Sequence, residues 1–346
     1  MLHLFRFGLI ALAAAIMPAV CMAATAATPP VVPPVAPFAT PPADAMAPRA
    51  AWAKCGNCRE RVEWDRHIAG YQLVMLSAVT DGSQDRVAAR DGHGVPAADR
   101  TAILRQRFEL RRGGQIMLDI EDRWLDPAHD VDLRLPPPGT DVAGTGQPQV
   151  VLLGWSGEGS CCFTLHIIEL GPEPRILAQV AARDGVPRLV QHDADPDFEI
   201  VVEDATYAGW SMVSPPALPR VVLKYDPQAG HYRFAAAEMR RPPPPISRLE
   251  AEAKLLQEGA AKAPDDGRVP PHLLRTMLRL IYAGNYPLAR RFLDDAWNDR
   301  YGVKREAFLK DLMECRLPRS PYWVDIATMN GLTPVAPRAD CAGAAD

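Results

Sequence analysis

No long run of basic residues occurs in this 346-residue chain, and its formal charge is −4. Phosphate backbones are held by a basic face, so the charge pattern speaks against nucleic acid as a partner. Beyond the N-terminus no apolar stretch approaches the roughly 20 residues that a spanning helix needs, so no later transmembrane segment is expected. Catalytic spacing patterns are missing as well. There is no His-Glu-x-x-His. The stretches "GWSGE" (154–158) and "GWSMV" (209–213) each lack the last glycine of a serine-hydrolase elbow. A zinc ribbon needs two Cys-x-x-Cys pairs, and the chain has one, with Cys161 and Cys162 as the other thiols that could complete a four-thiolate set. Carboxylate pairs for glycoside hydrolysis have no fixed spacing, and nothing marks them here. No catalytic constellation stands out, so the sequence leans away from an enzyme.

A hydrophobic content of 48% is enough for real cores, and the length allows two ordinary domains. The N-terminus has the layout of a secretory signal peptide: Arg6, an apolar run from Phe7 to Val20, Pro18, then small residues around Ala23. Residues 1–23 are read as that signal, which places the protein in the periplasm or outside the cell. Val20 stands before Cys21 where a lipoprotein signal has a small residue. Residues 24–51 are rich in Pro and Ala without periodicity and read as a disordered tether.

Export changes how cysteine is read. Of seven cysteines, Cys55, Cys58, Cys161, Cys162, Cys315 and Cys341 lie beyond the signal. An even set in an oxidising compartment points to disulfides, with fifteen connectivities open. Cys55 and Cys58 follow the tether rather than a buried strand, so a thioredoxin-like context is missing. Cys161 and Cys162 are adjacent, so on a strand they face opposite ways and can each take a different partner, such as Cys55 and Cys58; a strained vicinal bridge is the alternative. A Cys315–Cys341 bridge would staple the C-terminal segment, worth about 3–4 kcal/mol in loop entropy.

The periodicity changes along the chain. Residues 52–240 carry short apolar or alternating runs ("YQLVML", "VVLLGW", "FTLHIIEL", "FEIVVED") about ten residues apart, which read as strands. "RVVLKYDPQAGHYRFAAA" reads as a hairpin around Pro227 and Gly230, and "PAADRTAILRQRF" as a short helix. Four prolines at 242–245 end the strand pattern. Ser247 and Glu250 then have capping-box spacing, and helical periodicity fills 246–332, with Leu274, Met277, Leu278 and Ile281 on one face. Residues 333–346 read as a flexible tail. The expected fold is α+β: a mainly β domain, with propeller-like partial sheets or a sandwich, followed by a small α-helical domain.

The most chemically suggestive stretch is "HDADPDFEIVVED". Asp193, Asp195 and Asp197 occupy positions 1, 3 and 5 of a calcium-type loop, with Glu199 at position 7 and Asp204 at position 12. Phe198 stands where such a loop needs Gly for its turn, and Pro196 lies inside it. The bland alternative is an acidic turn before a half-buried strand, with Phe198, Ile200 and Val202 facing one way and Glu199, Val201 and Glu203 the other. His166 reads as a satisfied strand residue.

"DADPDFEIVV" resembles a degenerate form of the acidic loop of FG-GAP/VCBS-type repeats. The segment from "GWSGEGSCCFTLHIIEL" through "DATYAGW" to "PPALPRVVLKYD" resembles a group of uncharacterised exported bacterial proteins. The resemblance covers about residues 150–235 and implies an exported β domain without implying an activity. A non-enzymatic binding or interaction role in the envelope, with an envelope protein or cell-wall component as partner, is the leading expectation. The rival is a periplasmic hydrolase or calcium-dependent protein that uses the acidic loop.

Overall fold

In a computed structural model, residues 58–80, 103–126, 135–157, 162–182, 185–191, 195–260 and 268–341 are described. The expected signal and tether lie outside them. Twelve strands form three four-stranded antiparallel sheets among the described residues. The first holds β1 (Cys58–Ile68), β2 (Tyr71–Thr80), β3 (Ile103–Arg112) and β4 (Gln115–Asp122), neighbours in that order. The second holds β5 (Trp124–Asp126), β6 (Gln149–Trp155), β7 (Phe163–Glu169) and β8 (Arg175–Ala182). The third holds β9 (Arg188–Val190), β10 (Glu199–Glu203), β11 (Arg220–Asp226) and β12 (His231–Phe234). Each is a simple meander, the connectivity of a propeller blade, although propellers have at least four blades. In the first sheet, two-residue turns at 69–70 and 113–114 join the strand pairs. Gly113 (φ 56°) and Gly114 (φ 82°) supply the left-handed pair that joins β3 to β4.

The helix expected over "PAADRTAILRQRF" is corrected for its described part, because 103–108 lies in β3. Pairing with β2 sets Phe108 opposite Met75 and Leu110 opposite Leu73, and all four side chains are buried. Tertiary burial overrides a weak local propensity.

Two cores meet at the second sheet. Val150, Leu152, Ile168 and Leu170 pack with Tyr71, Leu73, Met75, Phe108 and Leu110 of the first sheet. The alternate residues Val151, Leu153, Leu165 and Ile167 join the third sheet and the helices. This two-sided burial explains the uninterrupted apolar run "VVLL" in β6. Tyr71 fastens the first pair of sheets by donating its hydroxyl to Gly171 O at 2.8 Å. β10 is likewise buried on both faces, which corrects the half-buried reading: Glu199, Ile200, Val201 and Val202 are all inside.

The helical part comprises α1 (Ala236–Met239), α2 (Ile246–Ala260), α3 (Pro271–Ile281), α4 (Tyr286–Ala296), α5 (Arg305–Asp311) and α6 (Trp323–Met329), with a wide turn at 312–316 and a tight one at 317–319 after α5. The capping-box reading is corrected: α2 already begins at Ile246, and Pro245 O accepts from Arg248 N at 3.0 Å. The proline run presets the dihedral of the first turn, which leaves Ser247 inside the helix. Leu274, Met277, Leu278 and Ile281 are buried as expected. Gly284 (φ 78°) turns α3 into α4 at a point where a Cβ would sit 3.2 Å from Met329 Cγ. No helix among the described residues is long and apolar enough to cross a membrane.

These helices share one continuous core with the second and third sheets. The period change at 240–246 is therefore a change of secondary structure and not a gap in packing. Cys315 and Cys341 form a disulfide. Around it, Trp323 Nε1 donates to Val335 O at 3.1 Å, and Arg338 pairs with Glu314 at 2.7 Å. These contacts tie down the segment read from sequence as a tail, as far as residue 341. Cys162 is also disulfide-bonded. Cys55, Cys161 and the side chain of Cys58 lie outside what is described.

Candidate functional site

The acidic stretch converges on a lysine. Asp193 lies outside the described residues. Lys224, from the middle of β11, places Nζ 2.6 Å from Asp195 Oδ2, 3.3 Å from Glu199 Oε1 and 3.5 Å from Glu238 Oε1. Asp195 Oδ1 also accepts from Asp197 N at 3.1 Å, closing a small turn. An ammonium thus sits among the carboxylates that the sequence offered to calcium. Asp197 points toward Gly144 (φ 63°), whose missing Cβ would collide with its carboxylate. Burial raises the pKa of Asp197, the neighbouring Asp195 charge raises it further, and Lys224 opposes both. Among the described residues no group of three His, Cys, Asp or Glu side chains is placed to hold a metal ion.

A second loop of related form escaped the sequence reading. Asp141 accepts from Thr145 N at 3.0 Å and Gly146 N at 2.7 Å. Gln149, first residue of β6, folds back on this loop. Its Oε1 accepts from Ala143 N at 3.0 Å, and its Nε2 donates to Asp141 Oδ1 at 3.0 Å and Thr145 Oγ1 at 2.9 Å. Both loops enter the second strand of a meander, and both carry a donor at their centre, an amide in one and an ammonium in the other. The signal available in the sequence was the glycine pair in "DVAGTGQPQVV", which supplies the positive φ at Gly144 and Gly146.

Asp204, considered as a twelfth loop position, belongs elsewhere. It caps the turn Ala205–Tyr207 by accepting from Thr206 N at 2.9 Å. It then reaches the helices, accepting from Tyr282 Oη at 2.6 Å and Ser320 Oγ at 2.5 Å. Tyr207 and Tyr282 bond through their hydroxyls at 3.1 Å. Burial lifts both tyrosine pKa values well above the ordinary range, so these hydroxyls stay protonated donors. Trp210, three residues on, stacks on Phe308 with ring centres 5.2 Å apart. The aromatic-rich "DATYAGW" is thus the fastening between the third sheet and the helices.

His166 is buried on the face of the second sheet turned to the first, opposite Leu152. Its Nδ1 has no hydrogen-bond partner among the described residues, which corrects the expectation of a satisfied residue. Burial lowers its pKa to about 4. Asp195, on the third sheet's loop, is paired instead with Lys224. His192 lies outside the described residues.

One open cavity of about 440 Å³ lies at the seam between β11, the proline arm and α3. Its floor is apolar, including Val222, Met239, Leu278 and Leu280, and among the described residues its charged lining consists of Arg220, Arg241, Arg275 and Arg279 with no carboxylate. Sequence reasoning missed it because the four arginines are spread over 60 positions and meet only through the fold. Compared with protein-family models, curated proteins and solved structures, the chain matches none.

Proposed function

We propose that this chain is an exported envelope protein with a non-enzymatic binding role, exercised at the seam cavity. The observation that carries the reading is the cavity's lining: an apolar floor beneath four arginines, with no acidic residue among the described lining. Elsewhere the fold neutralises its clustered charges internally, as Lys224 does for Asp195 and Glu199. A cluster of one sign in a concavity, in which only Arg279 has a carboxylate partner (Glu252) among the described residues, is where a ligand of opposite sign gains most. Export is supported by the signal layout of residues 1–23 and by disulfide bonding at Cys162, Cys315 and Cys341. Kinship of the β part with FG-GAP-type repeats is supported by the two loops that lead into β6 and β10. The calcium-dependent alternative has the Lys224 ammonium against it.

Native mass spectrometry of the protein released gently from the periplasm tests the reading. The wild type is expected to start after a cleaved signal and to carry a non-covalent species that Arg275→Glu lacks. A bare wild-type protein, or equal loading of the variant, would count against it.

A further inference from the structure

We infer that the ligand of the seam cavity is a small amphiphilic anion, with a carboxylate or phosphate head held by arginines and an apolar body on the floor. This rests on the binding reading above and names the class of ligand.

Size comes first. About 440 Å³ lies within the roughly 300–1,000 Å³ range of small-molecule pockets. A macromolecular interface would instead spread over a broad surface.

Charge comes second. Arg220 enters from the start of β11, Arg241 from the proline arm, and Arg275 and Arg279 from successive turns of α3. Two are already engaged: Arg279 pairs with Glu252 at 3.0 Å, and Arg241 donates to the carbonyls of Glu238 and Arg240. Arg220 and Arg275 have no carboxylate partner among the described residues, and both are exposed. Like charges held together in a concavity repel, and an anion relieves that repulsion. Guanidinium forks match the oxygens of carboxylate and phosphate, which selects the head.

The floor selects the body. Tyr282 lines the cavity but commits its hydroxyl to Asp204 and Tyr207, so it offers ring carbon. Asn285 is the one neutral amide side chain in the lining, and its Nδ2 already donates to Arg241 O at 3.1 Å and Ala283 O at 3.2 Å. Pro242 and Pro244 have no N–H to give. Over this floor a sugar or nucleoside body would find fewer partners for its hydroxyls than in water, whereas hydrocarbon loses nothing.

Isothermal titration of the mature protein, at concentrations below micelle formation, tests this with decyl phosphate, decanoate, decanol and inorganic phosphate. Decyl phosphate and decanoate are expected to bind, and decanol and inorganic phosphate each to bind at least about tenfold more weakly. The double variant Arg220→Gln/Arg275→Gln alters two exposed side chains and is expected to keep the thermal midpoint. It should weaken both amphiphilic anions at least about tenfold and leave decanol unchanged. Which anion binds more tightly distinguishes a phosphate head from a carboxylate. Equal binding of decanol, equal binding of inorganic phosphate, or full affinity in the double variant each overturns the inference. So does binding of an acidic apolar peptide when neither decyl anion binds. A bound species in the native mass spectrum with no response to these anions would sink the ligand class and leave the binding role standing.

Discussion

Asp204→Ala removes an acceptor on which three side chains converge. Asp204, Tyr282 and Ser320 are all buried, and the bonds from Tyr282 and Ser320 are 2.6 and 2.5 Å long. Thr206 is only partly buried, so its donors turn to water when the carboxylate goes. The hydroxyls of Tyr282 and Ser320 cannot do so. Each loses a charge-assisted bond and is left inside without its acceptor, at about 1–3 kcal/mol apiece. Tyr282 keeps Tyr207 as a second partner, which moderates its share. The expected loss is about 3–5 kcal/mol, a large part of the stability of an ordinary domain. Asp204→Asn retains one acceptor oxygen at nearly the same volume and should cost about half as much. Urea unfolding of the oxidised protein, followed by tryptophan fluorescence, measures both. Since Trp210 and Trp323 lie in the helical seam, that part of the structure is reported directly. A double-mutant cycle of Asp204→Ala with Ser320→Ala should give a coupling of about 1–2 kcal/mol. A loss below about 1 kcal/mol for Asp204→Ala, or strict additivity with Ser320→Ala, would refute the claim that this carboxylate fastens sheet to helices.

Three further outcomes are expected. His166 has a folded pKa lowered from 6.5 to about 4, so the native state resists a proton that the unfolded chain takes up. Its contribution is whole above pH 6.5 and is lost as pH falls toward 4, amounting to about 3 kcal/mol; if denaturation midpoints of His166→Gln show the same acid slope as wild type, the assignment is wrong. The Cys315–Cys341 bridge closes a 26-residue separation, so Cys341→Ser should lower stability by about 3 kcal/mol, with reduction of the wild type giving at least that loss; equal urea midpoints for oxidised wild type and Cys341→Ser would exclude it. Lys224→Met leaves Asp195, Glu238 and the fully buried Glu199 without their shared cation, at a cost of about 2–4 kcal/mol, and wild type titrated with millimolar Ca²⁺ should give no calorimetric heat; unchanged stability of the variant, or saturable heat from wild type, would refute the built-in cation.

The sequence carried most of the architecture because strong periodicity does. The apolar face of α3, the hairpin around Pro227 and the Cys315–Cys341 pairing were all legible. Local signals failed where burial overruled them. Residues 103–108 have helical spacing, but pairing with β2 makes them a strand. Ser247 and Glu250 have capping spacing, but proline carbonyls start the helix earlier. The candidate sites were legible only in part. The spacing of Asp195, Asp197 and Glu199 was visible, whereas their counter-charge comes from Lys224, 25 positions beyond Glu199 and aligned by strand pairing. The arginine lining left no trace in the sequence, since neither its spacing nor its composition is unusual until β11 and α3 come together.

The second sheet has a consequence for how this fold can drift. Residues 150–153, Leu165, Ile167 and Ile168 serve two cores between them, and neither face offers a solvent side on which a change of volume goes unfelt. A larger side chain at Leu152 presses on the first sheet, whereas one at Leu153 presses on the helices, so accommodating each demands a different set of partners. Lineages that descend from this chain should therefore hold those seven positions nearly fixed in size. Their divergence should collect where strands end, around the cavity rim and the acidic loop.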